Sequence, residues 1–243
     1  IAVIGSGIAG ATVERALRAL GLDAVAFEAK EPGAGASGNP AGLVTPRLDA
    51  GLGPVARLAA QAYLRALDVY SGVPGAVLSR GVLQLAANDR DAGRFARIAA
   101  SDLFPAGALE FIDPAVASVR LGEATGRAGL DQPGALSLDP RAVLAAWCAP
   151  RPGARVEAVE ARPDGWRVLS AEGGSETFGA VILACGAGLP DLWAGAPVLP
   201  VRGQASWVAT SSADAVRAAG WGGYLAPTSD GVSFQVDATY NGV

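Results

Sequence analysis

Histidine and methionine are absent from the 243 residues, lysine occurs once and cysteine only twice. The two cysteines, Cys148 and Cys185, are too few for a disulfide framework. Their apolar neighbours favour reduced thiols and hence a cytoplasmic location. Average composition would give several histidines and methionines in a chain of this length. We therefore hypothesise that residues of the natural protein are missing from this sequence, which also opens on a residue other than methionine.

Long apolar runs and clusters of basic residues are also lacking. The longest uncharged apolar stretch, 178–190, is too short and too rich in glycine for a membrane span, so no membrane association is expected. The 19 basic residues are scattered in a chain of net charge -4, which gives no footprint for nucleic acid or anionic lipid. We find no repeats of fixed period and expect no metal site. The remaining composition, 51% apolar, is typical of a globular enzyme.

The start of the chain carries a pattern that is typical of dinucleotide binding. The apolar run 1–4 predicts a buried strand, and the glycine-rich run 5–10 opens an amphipathic helix that ends at Gly21. A second apolar run, 24–27, ends in Glu28. In this pattern the glycines permit a tight turn, backbone approach to a pyrophosphate and close helix packing, while the acid accepts hydrogen bonds from the adenosine ribose. The alternative is an ordinary α/β turn with Glu28 as a solvated strand end.

The remaining chain predicts alternating helices and strands. A small-residue loop over 33–42 suits close approach to a ligand, although a flexible linker is the alternative. Helices are predicted over 55–70, 89–100 and 141–147. Strands are predicted over 81–85, 155–161, 165–171, 177–185, 199–208 and 231–240. Those from 155 to 185 make a β-meander, and its apolar end, 180–186, returns to the central sheet. Residues 101–135 give no strong prediction.

Together these motifs resemble the superfamily of FAD-dependent D-amino-acid, glycine and sarcosine oxidases. The resemblance covers nearly the whole chain. It depends on the glycine turn with Glu28, the loop 36–39, the end of the meander at 184–188, and the run 199–204. Within the superfamily, the run 35–48 is most similar to the oxidase half of a tRNA-modifying enzyme. The runs 81–85 and 223–227 fit that subgroup as well.

The resemblance implies an α/β fold in two parts. A discontinuous FAD-binding Rossmann-like domain with a β-meander would comprise residues 1–71 and 136–194. A mixed-sheet α+β substrate domain would comprise 72–135 and 195–243. The family's C-terminal glycine-rich strand and helix, with its carboxylate-binding arginine, are expected beyond Val243.

The resemblance also implies an activity. Hydride would pass to noncovalently bound FAD from the carbon between an amine and a carboxylate, and the resulting imine would be hydrolysed, with dioxygen as the electron acceptor. In the tRNA-modifying subgroup the substrate is the carboxymethylaminomethyl group of a wobble uridine, and a methyltransferase is a fused or separate partner. The net negative charge of the chain favours an alternative to the tRNA substrate, namely an oxidase of free glycine or sarcosine. A non-catalytic FAD-binding subunit is a further alternative.

Residue by residue, the resemblance implies these cofactor contacts: Gly5, Ser6, Gly7, Ile8, Ala9, Gly10, Glu28, Ala29, Lys30, Ser37, Gly38, Asn39, Gly42, Leu43, Val156, Ala184 and Gly186. Of these, 37–39 would line the diphosphate and flavin edge, 42–43 would pass beside the isoalloxazine, and the backbone of Val156 would meet the adenine. Tyr224 would bind the substrate carboxylate, and Tyr240 would face the flavin; both are the candidate catalytic residues. The alternatives are a core strand residue for Val156 and an exposed strand aromatic for Tyr224.

Overall fold

The structure is a computed structural model that describes residues 1–151, 153–201, 203–209, 217–228 and 232–237. The chain forms two compact units. The first contains Ile1–Asn39 and Pro140–Val201, and the second contains Pro40–Asp139 and Arg202–Val243.

The described elements alternate between strands and helices along most of the chain. The strands are β1 (Ala2–Ile4), β2 (Val25–Phe27), β3 (Gly42–Val44), β4 (Val77–Leu85), β5 (Glu110–Ile112), β6 (Gly129–Leu138), β7 (Val156–Arg162), β8 (Gly165–Ser170), β9 (Ser175–Phe178), β10 (Val181–Leu183), β11 (Gln204–Ala209), β12 (Ala218–Gly220), β13 (Tyr224–Pro227) and β14 (Val232–Asp237). The helices are α1 (Ile8–Ala19), α2 (Pro54–Ser71), α3 (Asp89–Ala99), α4 (Pro114–Leu121), α5 (Pro140–Trp147) and α6 (Leu189–Leu192). Over the residues described, none of the helices has the length and apolar character needed to cross a membrane.

The first unit is built on a parallel sheet with strand order β10-β1-β2. Its central strand, β1, is completely buried, as the continuous apolar run predicts. Antiparallel strands β7, β8 and β9 form the predicted meander. Phe27 of the parallel sheet contacts Phe178 of the meander edge to face, with ring centroids 5.7 Å apart. The core of this unit therefore includes apolar side chains from both sheets.

The strand predicted over 177–185 is in fact two strands. Ser175–Phe178 pairs antiparallel with β8, whereas Val181–Leu183 pairs parallel with β1. Gly179 and Ala180 separate the two pairings. The predicted return of the chain to the central sheet is confirmed, but a continuous strand is wrong because the two halves join different sheets.

The second unit is built on a mixed sheet with strand order β11-β14-β13-β12-β4-β6-β3, and β5 pairs with β6. The β12–β4 pair is parallel, while β4 and β6 form a long antiparallel ladder. Helix α2 contributes Tyr63 to a core cluster with Val82 and Ala218. Helix α3 contributes Phe95 and Ile98 to a second cluster. An α/β fold with a parallel sheet, a meander and a mixed sheet is thus confirmed.

Residues 40–71 belong to the second compact unit, whereas the predicted division placed them in the FAD-binding domain. The reason is strand pairing: β3 is antiparallel to β6, with Gly42 opposite Leu138. Helix α2 then packs on the same sheet through Tyr63. The assignment of FAD-binding and substrate roles to particular ranges stays a prediction.

Candidate functional site

The carboxyl ends of β1, β2 and β10 adjoin one another, and the loops that follow them line one cleft. Gly5 follows β1 with φ +103°, and a Cβ there would lie 2.6 Å from the Ala184 carbonyl oxygen. A Cβ at Gly10, in the first turns of α1, would lie 1.9 Å from the Gly5 carbonyl oxygen. Both positions therefore require glycine, because backbone contacts backbone on each side of the turn.

The cleft has a volume of about 860 Å³. It brings together most of the residues predicted to contact the cofactor in the first unit: Gly5, Gly7, Ile8, Ala9, Glu28, Ala29, Lys30, Ser37, Val156, Ala184 and Gly186. Ser6, within the glycine turn, is buried. Gly10 allows α1 to pack closely against the glycine turn and is not itself part of the cleft wall. Gly42 and Leu43 lie in the second unit.

Several residues of the wall were not among the predicted cofactor contacts. They are mainly neighbours of predicted positions: Ala154, Arg155, Glu157, Cys185, Ala187, Gly188, Asp191 and Leu192. Gly33, Ala34, Gly35 and Ala36 also line the cleft, and they belong to the loop that was predicted to approach a ligand. For the run 184–188 a signal existed, because small residues directly follow a buried strand at the edge where ligands bind in parallel sheets. For 154–157 no local signal distinguishes a cleft wall from the start of an ordinary strand.

The N-terminus of α1 opens into this cleft. Gly7 is its extended N-cap, with no side-chain cap and no acidic residue in the first turn. The Ile8 amide donates to Ser37 Oγ over 2.9 Å. The other early amides of a helix have no partner within it and carry partial positive charge. The Ser37 hydroxyl can accept this bond and still donate its own proton, which suits a diphosphate oxygen.

Glu28 connects the end of β2 to the glycine turn. Its Oε2 accepts from the Ser6 amide over 2.8 Å, and its Oε1 accepts from the Lys30 amide over 3.1 Å. An ionised carboxylate has about four lone-pair sites, so two further bonds remain for sugar hydroxyls. Glu28 is half-buried at the cleft wall, which differs from a freely solvated strand end.

We expect Glu28→Ala to weaken FAD binding by about tenfold or more, because the variant loses charge-assisted hydrogen bonds and releases the Ser6 amide. Titration of the apoprotein with FAD, followed by flavin fluorescence, measures this effect. The matched control is Glu31→Ala, which removes an exposed carboxylate close by. Equal affinities in the wild type and Glu28→Ala would show that the Glu28 carboxylate does not bind FAD and serves only to hold the glycine turn.

Val156, at the start of β7, also lines the cleft. Its side chain is 9% exposed and packs in a core cluster with Phe27 and Val168. The position is therefore both a core strand residue and a wall residue. Its proposed backbone contact with the adenine stays a prediction.

Both cysteines lie near the glycine turn, and neither is activated. Cys148 Sγ donates to the Ser6 carbonyl over 3.8 Å. Burial, together with the nearby carboxylates of Glu14 and Glu28, raises the pKa of the Cys148 thiol to about 11. Burial, with a smaller contribution from Asp191, raises the pKa of Cys185. The thiol form therefore predominates at neutral pH, which disfavours nucleophilic reaction at either side chain.

The second unit contains the other predicted site residues. The Tyr224 hydroxyl lies 3.5 Å from the carbonyl oxygen of Ala41, the residue before Gly42 and Leu43. Burial raises the pKa of Tyr224 to about 12, so its phenol remains a hydrogen-bond donor at neutral pH. The structure thus brings Tyr224 to the segment predicted to pass beside the isoalloxazine. Tyr240 lies outside the described residues.

Comparison with known families identifies the class of protein. A family model described as FAD dependent oxidoreductase, DAO, matches residues 1–242. The chain therefore belongs to the DAO family of FAD-dependent oxidoreductases, and the cofactor of this family is FAD. The glycine turn, the N-terminus of α1 with the Ser37 hydroxyl beside it, and Glu28 fit the diphosphate and ribose of this dinucleotide.

The relatives include particular tRNA-modifying proteins. The tRNA 5-methylaminomethyl-2-thiouridine biosynthesis bifunctional protein MnmC of Caulobacter sp. (strain K31) is 46% identical over 235 residues, which is 96% of this chain and 38% of the relative. The protein of the same name from Magnetococcus marinus is 36% identical over 242 residues, which is 93% of this chain and 36% of the relative. The chain thus spans little more than a third of each. These findings confirm the resemblance seen in the sequence.

Solved structures share the fold. Glycine oxidase from Geobacillus kaustophilus superimposes with a TM-score of 0.73 at 22% identity, covering 98% of this chain and 70% of that one. L-proline dehydrogenase from P. horikoshii gives a TM-score of 0.74 at 19% identity, covering 99% and 71%. At these identities the likeness shows the fold alone.

Proposed function

We propose that this chain is the oxidase part of a tRNA-modifying enzyme that removes the carboxymethyl group from carboxymethylaminomethyl-uridine at the wobble position. The observation that carries this proposal is the 46% identity, over 96% of the chain, with a protein named for 5-methylaminomethyl-2-thiouridine biosynthesis. The aminomethyl product of such a reaction is the amine that a later methylation would convert to methylaminomethyl. The proposed partners are therefore tRNA as substrate, dioxygen as electron acceptor, and a fused or separate methyltransferase.

The residues of the cleft would hold the cofactor by its adenosine and diphosphate. Glu28 would accept from the ribose hydroxyls, and the Ser37 hydroxyl, with the amides of the first turn of α1 that follow Ile8, would donate to the diphosphate. When bound, FAD supplies the acceptor for the hydride removed from the substrate carbon. The protonated Tyr224 phenol would donate to the substrate carboxylate and thereby fix the position of that carbon. Water would hydrolyse the resulting imine, which releases glyoxylate and leaves the aminomethyl group.

Tyr224→Phe is expected to lower kcat/KM by roughly tenfold, because one hydrogen bond to the carboxylate is lost while the ring is retained. FAD affinity should stay the same. Steady-state rates and a separate FAD titration measure the two quantities. Tyr63→Phe is the matched control, since it removes a phenol hydroxyl from the core cluster beneath α2. Unchanged kcat/KM in Tyr224→Phe would remove this residue from the site.

The substrate proposal is tested by offering the full-length, FAD-loaded protein three compounds under anaerobic conditions: tRNA bearing carboxymethylaminomethyl-uridine, free glycine and sarcosine. We expect bleaching of the flavin absorbance with the tRNA, together with stoichiometric glyoxylate. Bleaching by glycine or sarcosine alone would replace this proposal with a free amino-acid oxidase. No bleaching by any of the three would indicate a non-catalytic FAD-binding subunit.

The second candidate function is oxidation of a free amino acid, and the observation that favours it is the net negative charge of the chain. The chain carries a net charge of -4, whereas contacts to phosphates usually supply much of the affinity for nucleic acids. A salt titration of tRNA binding distinguishes the two candidates. A steep loss of affinity with salt supports the tRNA substrate, and an absence of binding at low salt supports the amino acid.

A further inference from the structure

Gln84 in β4, Gly220 in β12 and Tyr224 in β13 occupy one row across the sheet of the second unit. Gly220 pairs with Gln84 in the parallel ladder and with Tyr224 in the antiparallel ladder. Directly opposed residues of neighbouring strands project to the same face of a sheet. The side chains of Gln84 and Tyr224 therefore lie on the same face of the sheet. Gly220, which lies between them, has no side chain.

The space above Gly220 is taken by the Gln84 carboxamide. A Cβ at Gly220 would lie 2.4 Å from Gln84 Oε1, 3.1 Å from its Cδ and 3.3 Å from its Nε2. Gly220 is buried and its φ is not in the left-handed region, so space rather than backbone conformation requires glycine there. Since neighbouring strands are about 4.8 Å apart, the carboxamide covers the first of the two strand spacings that separate Gln84 from Tyr224.

The side chains of Gln84 and Tyr224 can each donate a hydrogen bond. The Gln84 amide has two N–H donors and one acceptor, and its nitrogen and oxygen exchange places by rotation about a single bond. The Tyr224 phenol donates its one O–H to the Ala41 carbonyl over 3.5 Å, a long hydrogen bond that a charged carboxylate would replace. Both residues are half-buried, so part of each remains accessible. A carboxylate has two oxygens, one for each of these donors.

We infer that Gln84 is a specificity-determining residue, whose amide N–H binds one oxygen of the substrate carboxylate while the Tyr224 hydroxyl binds the other. This inference rests on the proposed oxidation of a carboxymethylamine. It also gives a role to a residue within the run 81–85 of β4.

The inference is tested by equilibrium binding of methoxyacetate to the full-length, FAD-loaded protein. This probe has an ether oxygen in place of the amine nitrogen, so it presents the carboxylate without a C–N bond to oxidise. Perturbation of the flavin absorbance gives its Kd. We expect Gln84→Leu to raise Kd about tenfold, because one hydrogen bond to a charged group is lost. Gln84→Glu should raise Kd more at pH 7 and recover as the new carboxyl is protonated at lower pH.

Gly220→Ala tests the same contact from the other side, because its Cβ would displace the carboxamide; we expect a similar rise in Kd. Gln61→Leu, at an exposed position on α2, is the matched control and should bind as wild type does. FAD stoichiometry reports folding in every variant. If Gln84→Leu does not fold, Gln84→Asn shortens the amide and gives the same comparison.

Two results would overturn the inference in distinguishable ways. Wild-type Kd values in the Gln84 variants, alongside a raised Kd in Tyr224→Phe, would make Gln84 a structural residue and leave the proposed function intact. A wild-type protein that neither binds methoxyacetate nor oxidises any carboxymethylamine would overturn the proposed function, and the inference with it.

Discussion

Gly10→Ala is expected to weaken FAD binding by about 100-fold and to lower the melting temperature, although it adds a single methyl group. The new Cβ would lie 1.9 Å from the Gly5 carbonyl oxygen, and that neighbour is backbone rather than a flexible side chain. Either α1 or the glycine turn must shift, and overpacking of this kind costs about 1–3 kcal/mol in a well-packed region. The shift also moves the amides that face the cleft. Calorimetric titration with FAD and a thermal melt of the apoprotein measure the two effects.

Gly93→Ala provides the matched control because it makes the same substitution inside another helix. Gly93 lies in the exposed face of α3, and a Cβ there would meet nothing within 4 Å. Alanine has a higher helix propensity than glycine, so we expect a gain of about 0.8–1 kcal/mol in the free energy of unfolding and no change in FAD affinity. Similar melting temperatures and similar FAD affinities in the two variants would contradict the close helix packing at Gly10.

Gly7→Glu is expected to reduce FAD affinity by at least about 100-fold, since it adds a negative charge where a helix N-terminus faces the diphosphate. The Cβ would lie 3.0 Å from Ser37 Oγ, so the substitution also presses on the hydroxyl that accepts from Ile8. The measurement is the FAD content of the purified protein, followed by titration of the apoprotein.

Gly53→Glu is the control for the charge itself. Gly53 is the N-cap of α2 with φ -79° and ψ -171°, close to the -73° and -177° of Gly7, and a Cβ there meets nothing within 4 Å. We expect wild-type FAD content in this variant. If Gly7→Glu also retained full FAD content, the assignment of the glycine turn to the diphosphate would be wrong.

The cofactor half of the site was largely predictable because its determinants are local. A buried run of apolar residues, a turn that needs glycine and a helix that begins immediately after it all lie within 1–19. The positive φ of Gly5 and the close approach of Gly10 to Gly5 involve neighbours in the sequence, and Glu28 follows at the end of the next strand. The contact of Gly5 with Ala184 comes from a distant part of the chain, but the prediction did not need it.

The stretch 101–135 escaped prediction because its order depends on residues elsewhere. It contains β5, α4 and most of β6, and β6 is buried despite carrying Asp131 and Gln132. Asp131 is compensated by Arg120, 3.1 Å away, and by a hydrogen-bonded ion pair with Arg217. From sequence alone an aspartate is expected on the surface, because burying an unpaired charge is costly. The arginines that pair with Asp131 become evident only in the tertiary structure.

The sequence by itself determined the class of cofactor, since turn conformation and helix initiation are properties of consecutive residues. Tertiary structure alone decided which distant groups meet: the Ser37 hydroxyl with the amide of Ile8, the Tyr224 hydroxyl with the carbonyl of Ala41, and the Gln84 carboxamide with Gly220. These pairs are far apart in the chain and come together through loop packing or strand register. A shift of register by one residue would turn Gln84 to the opposite face. The proposed substrate contacts therefore depend on long-range pairing that no local pattern encodes.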